Sequence, residues 1–154
     1  MQRQPEPITI LMADDDPDDR LMTQEAFRDC RLNNPLRFAE DGEELMDYLH
    51  RRGRYGDASA YPMPGLILLD LNMPRKDGRE ALREIKADPQ LRHIPVVVLT
   101  TSKAEEDVVR AYHDGVNSFI TKPVTFEGLI DVVCTLGKYW LHIVDLPDEA
   151  AGAA

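Results

Sequence analysis

Short apolar runs, each followed by a helical pattern, are the feature that most limits what this chain can fold into. The clearest run is Leu66–Leu69, which lies between Gly65 and the single carboxylate of Asp70 and is followed by Pro74. A continuous apolar run of this length predicts a strand that is covered on both faces, as in a parallel sheet. The other predicted strands are residues 8–13, 36–39, 94–99 and 116–121.

Helical patterns follow the predicted strands. After the first strand, Asp16 is placed to cap a helix, and Asp18 and Asp19 oppose the positive end of its dipole. Ser102 and Thr125 are the expected caps of two later helices. This alternation predicts right-handed crossovers and a parallel five-stranded sheet, in a doubly wound three-layer α/β sandwich.

The size and composition agree with one globular domain. The chain has 154 residues, of which 43% are apolar and 30% are charged, which is enough to bury a core without cross-links. We divide it into a lead at residues 1–7, a domain at residues 8–142 and a frayed tail at residues 143–154. Cys30 and Cys134 show no metal-type spacing, so we expect reduced, buried thiols.

Charge and hydropathy exclude several classes of partner. The net charge of −10 argues against nucleic acid, because phosphate contacts need a basic surface. No apolar run approaches the length of a membrane span, and no basic-then-apolar signal is present at the N-terminus. We therefore predict a cytoplasmic protein that binds neither nucleic acid nor membrane. The arginines of the loop at residues 51–64 could form a docking surface, but a solvated loop is favoured.

Polar side chains stand at the carboxyl ends of four predicted strands. Asp14 and Asp15 follow the first strand, Asp70 follows the third, Thr100 ends the fourth, and Lys122 follows the fifth. The strand ends of a parallel sheet share one rim, so these groups can converge there. A hard divalent ion would relieve the repulsion among the carboxylates, and a hydroxyl and an ammonium suit phosphoryl oxygens. Each residue alone has an ordinary structural role, but the five together favour a phosphoryl-accepting aspartate.

The chain resembles the receiver domains of two-component response regulators from residue 8 to about residue 141. The residues that carry the resemblance are Asp14 and Asp15, Asp70 within Leu-Leu-Asp-Leu-Asn-Met-Pro, Thr100, and Lys122 with Pro123. The resemblance implies a flavodoxin-like fold with strand order 2-1-3-4-5. It also implies that Asp70 accepts a phosphoryl group from the phosphohistidine of a sensor histidine kinase.

The resemblance further implies a metal site around the acceptor. Mg²⁺, for which Mn²⁺ can substitute, would be bound by Asp15 directly and by Asp14 largely through water. Asp70 and the backbone carbonyl of Asn72 would complete the protein ligands. Lys122 would pair with Asp70 and then with the phosphoryl oxygens.

Five residues are expected, again by resemblance, to respond to phosphorylation, to orient the lysine or to tune the lifetime of the phosphorylated state. Thr100 would turn its hydroxyl onto the phosphoryl group, which would let the switch aromatic Phe119 move inward. The Lys122–Pro123 bond would be cis and would orient the lysine. Asn72 and Ser102, each two residues beyond a motif residue, would set the lifetime of the phosphoaspartate.

The long loop before the third strand, and the run that follows Asp70, resemble more narrowly the small regulators that serve phytochrome-type kinases. The last helix is unusually apolar. Its surplus apolar surface either forms a homodimer contact with helix 4 and strand 5 or is covered by Ile143, Val144 and Leu146 of the tail.

The main alternative is an enzyme, a phosphatase of the haloacid-dehalogenase type with an aspartyl-phosphate intermediate. That family has its nucleophile early, as Asp-x-Asp, and its acidic pair late. Here the acidic pair comes first, and Asn72 stands at the second position after Asp70. We therefore predict a single-domain signalling phosphoacceptor with only self-phosphorylation and slow autodephosphorylation.

Overall fold

The computed structural model describes residues 7–101, 104–123 and 125–143. The strands are β1 (Ile10–Ala13), β2 (Leu36–Ala39), β3 (Leu66–Leu69), β4 (Val96–Thr100) and β5 (Ser118–Thr121). The helices are α1 (Pro17–Asp29), α2 (Gly42–Leu49), α3 (Gly78–Ala87), α4 (Glu105–His113) and α5 (Phe126–Leu136). A short 3-10 turn lies at Gly53–Gly56, and a π-helical segment, Gly137–Ile143, continues α5.

The sheet is parallel throughout, with order β2-β1-β3-β4-β5, which confirms the predicted architecture. Hydrogen bonds continue one residue beyond the strands. The amide of Asp14 donates to the carbonyl of Ala39, that of Asp70 to Ala13, and that of Lys122 to Thr100. Asp14, Asp70 and Lys122 therefore leave the sheet at the same rim.

Helices cover both faces of the sheet. The central strands β1, β3 and β4 are buried at every position, whereas the edge strands β2 and β5 are only partly buried. One buried cluster joins the sheet to α1 and α5, and a second joins its other face to α2, α3 and α4. This double cover explains why the central strands are continuously apolar rather than alternating.

Helix caps agree with the sequence where they are described. The predicted caps Asp16 and Thr125 each accept a hydrogen bond from an amide in the first turn of the helix that they precede, and Asp77 does the same for α3. Helix α4 follows Ala104, which makes no side-chain cap, and Ser102, its predicted cap, lies outside the described residues.

The prediction of two reduced cysteines is wrong for this structure. Cys30, at the C-terminal end of α1, forms a disulfide with Cys134 of α5, and their Cα atoms lie 5.3 Å apart. The two residues are 104 positions apart in sequence. Only the side-by-side packing of α1 and α5 brings them together, so their spacing carries no signal of the pairing.

The loop at residues 51–64 is folded against the domain rather than fully solvated. Tyr55 is only 5% exposed, and its ring centroid lies 5.0 Å from that of Tyr48 and 4.9 Å from that of Tyr61. The guanidinium of Arg54 donates hydrogen bonds to Glu44 and to the Tyr55 hydroxyl. At least part of this loop is therefore an extension of the core.

Most of the apolar surface of α5 and its continuation faces inward. Leu129, Val133 and Trp140 are buried, and Phe126 and Ile130 pack partly buried against the same cluster. The tail residues that the sequence suggested as a cover for α5 are Ile143, Val144 and Leu146. Val144 and Leu146 lie outside the described residues, and the side chain of Ile143 is likewise not described. Within the described ranges, no helix has the length and apolar character that a membrane crossing needs.

Candidate functional site

Asp70 lies at the centre of the rim, with hydrogen bonds to both carboxylate oxygens. Its Oδ1 accepts from the hydroxyl of Thr100 at 2.8 Å and from the amide of Asn72 at 3.1 Å. Its Oδ2 accepts from the ammonium of Lys122 at 2.9 Å. These hydrogen bonds hold the carboxylate in one orientation. The residue is 6% exposed, so it lies at the edge of solvent.

Glycine allows the next helix to approach this carboxylate. A Cβ at Gly78, the first residue of α3, would overlap the backbone carbonyl of Asp70 and would contact Leu71. The amide of Gly78 instead donates to the carbonyl of Leu71 at 3.0 Å. The short connection from β3 to α3 therefore depends on the missing side chain.

Lys122 is the cationic centre of the rim. Its Nζ lies 2.6 Å from Asp14 Oδ2, 2.8 Å from Asp19 Oδ2 and 2.9 Å from Asp70 Oδ2. The Lys122 side chain is 10% exposed, and that of Asp14 is fully buried. One ammonium thus serves three carboxylates, and the group carries an excess of negative charge.

The pKa values of Asp14 and Lys122 are both raised, but for different reasons. Burial raises the pKa of Asp14, because desolvation outweighs the hydrogen bond from Lys122. Burial also acts to lower the pKa of Lys122, but the hydrogen bonds to Asp14, Asp19 and Asp70 outweigh it and raise that pKa above its ordinary value. The lysine therefore stays charged, while Asp14 is ionised only at a cost.

The acidic residues of the rim fit a divalent cation. Asp14, Asp15 and Asp70 each offer one carboxylate oxygen, and these oxygens all lie within 4.8 Å of one another. Asp14 and Asp70 are buried, whereas Asp15 is exposed and leaves the group open to solvent. Clustered carboxylates with access to water are what hard divalent ions use as ligands.

Thr100 and Phe119 lie on the neighbouring strands. The Thr100 side chain is fully buried, and its hydroxyl is already turned onto Asp70. Phe119 is partly buried and packs against the cluster that includes α3 and α4. The amide of Phe119 donates to the hydroxyl of Tyr112 on α4 at 3.2 Å, which connects β5 to that helix.

The expected cis bond before Pro123 is wrong here, because no peptide bond among the described residues is cis. The orientation of Lys122 does not need it. The amide of Lys122 is held by the carbonyl of Thr100, and its ammonium is held by three carboxylates.

Asn72 is exposed and lies beside a second ionic group. Its side-chain oxygen is 3.4 Å from the guanidinium of Arg79, which also makes two 2.8 Å hydrogen bonds with Asp107 of α4. Arg79 thus joins the start of α3 to α4 close to Asp70. Ser102, the other predicted tuning residue, lies outside the described residues.

Asp19 is the site residue that the sequence did not identify. An acidic residue is expected in the first turn of a helix, so the presence of Asp19 there gave no separate indication that it contacts Lys122. The predicted strand order could have supplied one, because it places α1 and α5 on the same face of the sheet. Asp19 then lies beside the carboxyl end of β5, where Lys122 stands.

Comparisons with known proteins agree with this geometry. Residues 10–134 match the family model described as the response regulator receiver domain. Response regulator Rcp1 of Synechocystis sp. is 42% identical over 141 residues, which are 92% of this chain and 94% of Rcp1.

Two solved structures have the same fold over nearly the whole chain. The crystal structure of the Mn²⁺-bound form of Rcp1 superposes with a TM-score of 0.84 and 42% identity, over 92% of this chain and 100% of that one. The crystal structure of the phosphorylated cyanobacterial phytochrome response regulator RcpA superposes with a TM-score of 0.87 and 40% identity, over 93% of this chain and 100% of that one.

Proposed function

This chain belongs to the response regulator receiver family, whose members are signalling phosphoacceptors rather than classical enzymes, and we propose that Asp70 is its acceptor. The observation that carries the proposal is the set of contacts to the Asp70 carboxylate, with Thr100 on one oxygen and Lys122 on the other. The family match and the order of the motifs both disfavour the phosphatase alternative.

The transfer needs little chemistry beyond positioning and charge. An oxygen of Asp70 forms a bond to phosphorus while the bond from phosphorus to the histidine nitrogen of the kinase breaks, and the imidazole leaves with the bonding electron pair. The ammonium of Lys122 and the hydroxyl of Thr100 bind the transferred phosphoryl oxygens. Both groups already contact the Asp70 carboxylate, Thr100 at one oxygen and Lys122 at the other, so little reorganisation is required.

A divalent cation at Asp14, Asp15 and Asp70 would neutralise the charge that otherwise repels an incoming phosphoryl group. Receiver domains bind such a cation at their acidic pocket, and the related Rcp1 has been crystallised with Mn²⁺. We assign Mg²⁺ as the working ion, since it accepts carboxylates and water as ligands. The backbone carbonyl of Asn72 is the proposed fourth protein ligand.

Signalling follows from a shift between two packings of the domain. Phosphorylation adds roughly two negative charges at Asp70, and Thr100 and Lys122 contact them best in the active packing. A change from 1:99 to 99:1 requires a differential interaction of about 5.5 kcal/mol. Phe119 and its hydrogen bond to Tyr112 are placed to transmit the change from β5 to α4. Asn72 and Ser102 are proposed to set how long the phosphoryl group persists.

A receiver domain implies a histidine kinase as partner, and we propose one of the phytochrome type. The support is the likeness to RcpA, a phytochrome response regulator, over nearly the whole chain. Phosphotransfer profiling against the histidine kinases of the source organism tests this, and preferential labelling by a kinase outside the phytochrome type would contradict it. A cytoplasmic location remains a prediction from the sequence.

The output surface is proposed to be a homodimer contact through α4, β5 and α5. Val109 and Tyr112 of α4 are 64% and 51% exposed, and Tyr139 beyond α5 is 51% exposed. Sedimentation at micromolar concentration, with and without phosphorylation, tests the contact. Val109→Lys is expected to give a monomer, and a wild type that is monomeric in both states would remove the dimer.

The acceptor is tested by mass spectrometry after incubation with acetyl phosphate and Mg²⁺. The wild type is expected to gain one phosphoryl group on Asp70, and Asp70→Asn to gain none. Asp131→Asn, which alters an exposed carboxylate on α5, is the matched control and should label like the wild type. Stoichiometric labelling of Asp70→Asn would contradict the assignment of Asp70 as the acceptor.

A further inference from the structure

Asp19 differs from the other carboxylates around Lys122. Asp14 and Asp70 belong to the group of oxygens that fits a divalent cation, whereas Asp19 does not. It nevertheless lies 2.8 Å from the ammonium, as close as the other two partners. Its side chain is 26% exposed, so this ion pair is partly screened from water.

A cation at the acidic group and the ammonium of Lys122 compete for the same carboxylates. In this structure Lys122 contacts Asp14 and Asp70, and both would be ligands of the ion. Two positive charges held by the same carboxylates repel each other. Binding of the ion therefore requires the ammonium to withdraw from part of this contact, and a buried ammonium without a carboxylate is costly.

We propose that Asp19 is a positioning residue that retains the ammonium of Lys122 when a divalent cation engages Asp14 and Asp70. By offering the ammonium a partner outside the group of ligands, Asp19 lowers the cost of loading the site. It thereby sets the affinity of the pocket for the cation. The inference rests on the proposed function, because it assumes that the acidic group binds a divalent ion.

The location of Asp19 in α1 makes this role separable from helix stability. It lies in the first turn, together with Asp18, and both carboxylates oppose the positive end of the helix dipole. Asp18 is exposed, and its side chain makes no hydrogen bond or ion pair with the part of the chain that the structure describes. Asp18→Asn therefore removes the same charge from the same turn without touching Lys122.

The test is a calorimetric titration of Mg²⁺ into the unphosphorylated full chain. Asp19→Asn is expected to weaken binding about fivefold or more, in the range of ordinary coupling between sites. Asp18→Asn should change it by about twofold or less, because exposed charges are screened. Asp19→Ser, a second neutral variant that suits a helix start, should behave like Asp19→Asn, and Asp19→Glu should restore most of the affinity.

A second pair of titrations asks whether Asp19 acts through the lysine. In a Lys122→Met background, the effect of Asp19→Asn should shrink to that of Asp18→Asn. An undiminished effect would mean that Asp19 acts on the cation directly and would overturn the proposal. So would equal affinities of Asp19→Asn and Asp18→Asn when Lys122 is present.

Failure of the proposed function gives a different pattern. A wild type that neither binds Mg²⁺ nor is labelled at Asp70 by acetyl phosphate contradicts the phosphoacceptor assignment. A wild type that binds Mg²⁺ and is labelled, with Asp19→Asn no weaker than Asp18→Asn, contradicts only the role of Asp19.

Discussion

The two ends of helix α1 are attached to the rest of the domain by different kinds of interaction. At the N-terminal end, Asp19 pairs with Lys122, which follows β5. At the C-terminal end, Cys30 is bonded to Cys134 of α5. Both attachments join α1 to the β5–α5 unit, but the first is ionic and exchangeable, and the second is covalent.

This difference separates the part of the fold that can respond from the part that cannot. A cation can displace the ammonium of Lys122 from Asp14 and Asp70, and a phosphoryl group can become a new partner of that ammonium, because charge pairs exchange partners at little cost in geometry. The disulfide holds the far end of α1 on α5 whatever occupies the rim. Chemistry at the site can therefore change local contacts without undocking the helix.

Removal of the ionic attachment is expected to give the largest effect. Lys122→Met leaves three carboxylates without their cation and should lower the free energy of unfolding by about 3–5 kcal/mol in the absence of divalent ions. Saturating Mg²⁺ should recover part of that loss. Urea denaturation in EDTA and in Mg²⁺ measures both values.

Lys138→Ala, which removes an exposed lysine beyond α5, is the control and should change the free energy by less than about 0.5 kcal/mol. A loss at Lys122→Met that is identical with and without Mg²⁺ would show that the ion does not act on this charge group.

Removal of the covalent attachment should have a somewhat smaller effect on the free energy of unfolding, and this effect should not depend on Mg²⁺. Cys134→Ser is expected to lower the free energy of unfolding by about 2–4 kcal/mol relative to the oxidised wild type. The reduced wild type should match the variant. Urea denaturation with and without a reducing agent measures this, and thiol titration of the unreduced protein provides the check. Two free thiols in that titration would contradict the pairing.

The smallest effect concerns the pH dependence at the ionic end. Because burial raises the pKa of Asp14 above its ordinary value of 3.8, the folded state holds the proton more tightly than the unfolded state. The wild type should therefore lose stability relative to Asp14→Asn as the pH rises from 3.8 through the raised pKa. Below 3.8 the difference should be constant.

Metal-free urea denaturation of the wild type and of Asp14→Asn from pH 3 to 8 measures this difference. A stability gap between wild type and Asp14→Asn that does not change over this range would mean that Asp14 is no harder to ionise in the folded state.

Local patterns were sufficient for most of the architecture and for the residues of the rim. The apolar runs identified the five strands, and the polar residues after the first, third and fifth runs identified Asp14, Asp70 and Lys122, because both signals lie within a few residues. The caps Asp16 and Thr125 were likewise local. Rules of strand connection then placed these residues on one rim without any knowledge of distances.

The loop at residues 51–64 has a feature that local sequence patterns do not predict. Its glycines, prolines and arginines indicate an exposed loop, yet Tyr55 is buried between Tyr48 and Tyr61. Isolated aromatic residues have no periodicity that marks them as core. Their burial depends on how the loop folds back over α2.

The sequence by itself determined the order of strands and helices and the position of Asp70, Asp14 and Lys122 at one rim of the sheet, because strand ends are marked by local changes of polarity. The tertiary structure decided that Asp19 pairs with Lys122, which is 103 positions away, and that Cys30 pairs with Cys134, which is 104 positions away. The physical reason is the same in both cases. The strand order places α1 and α5 on one face of the sheet, but the packing of α1 against the β5–α5 unit decides which side chains touch, and this leaves no trace in the residues next to Asp19 or Cys30.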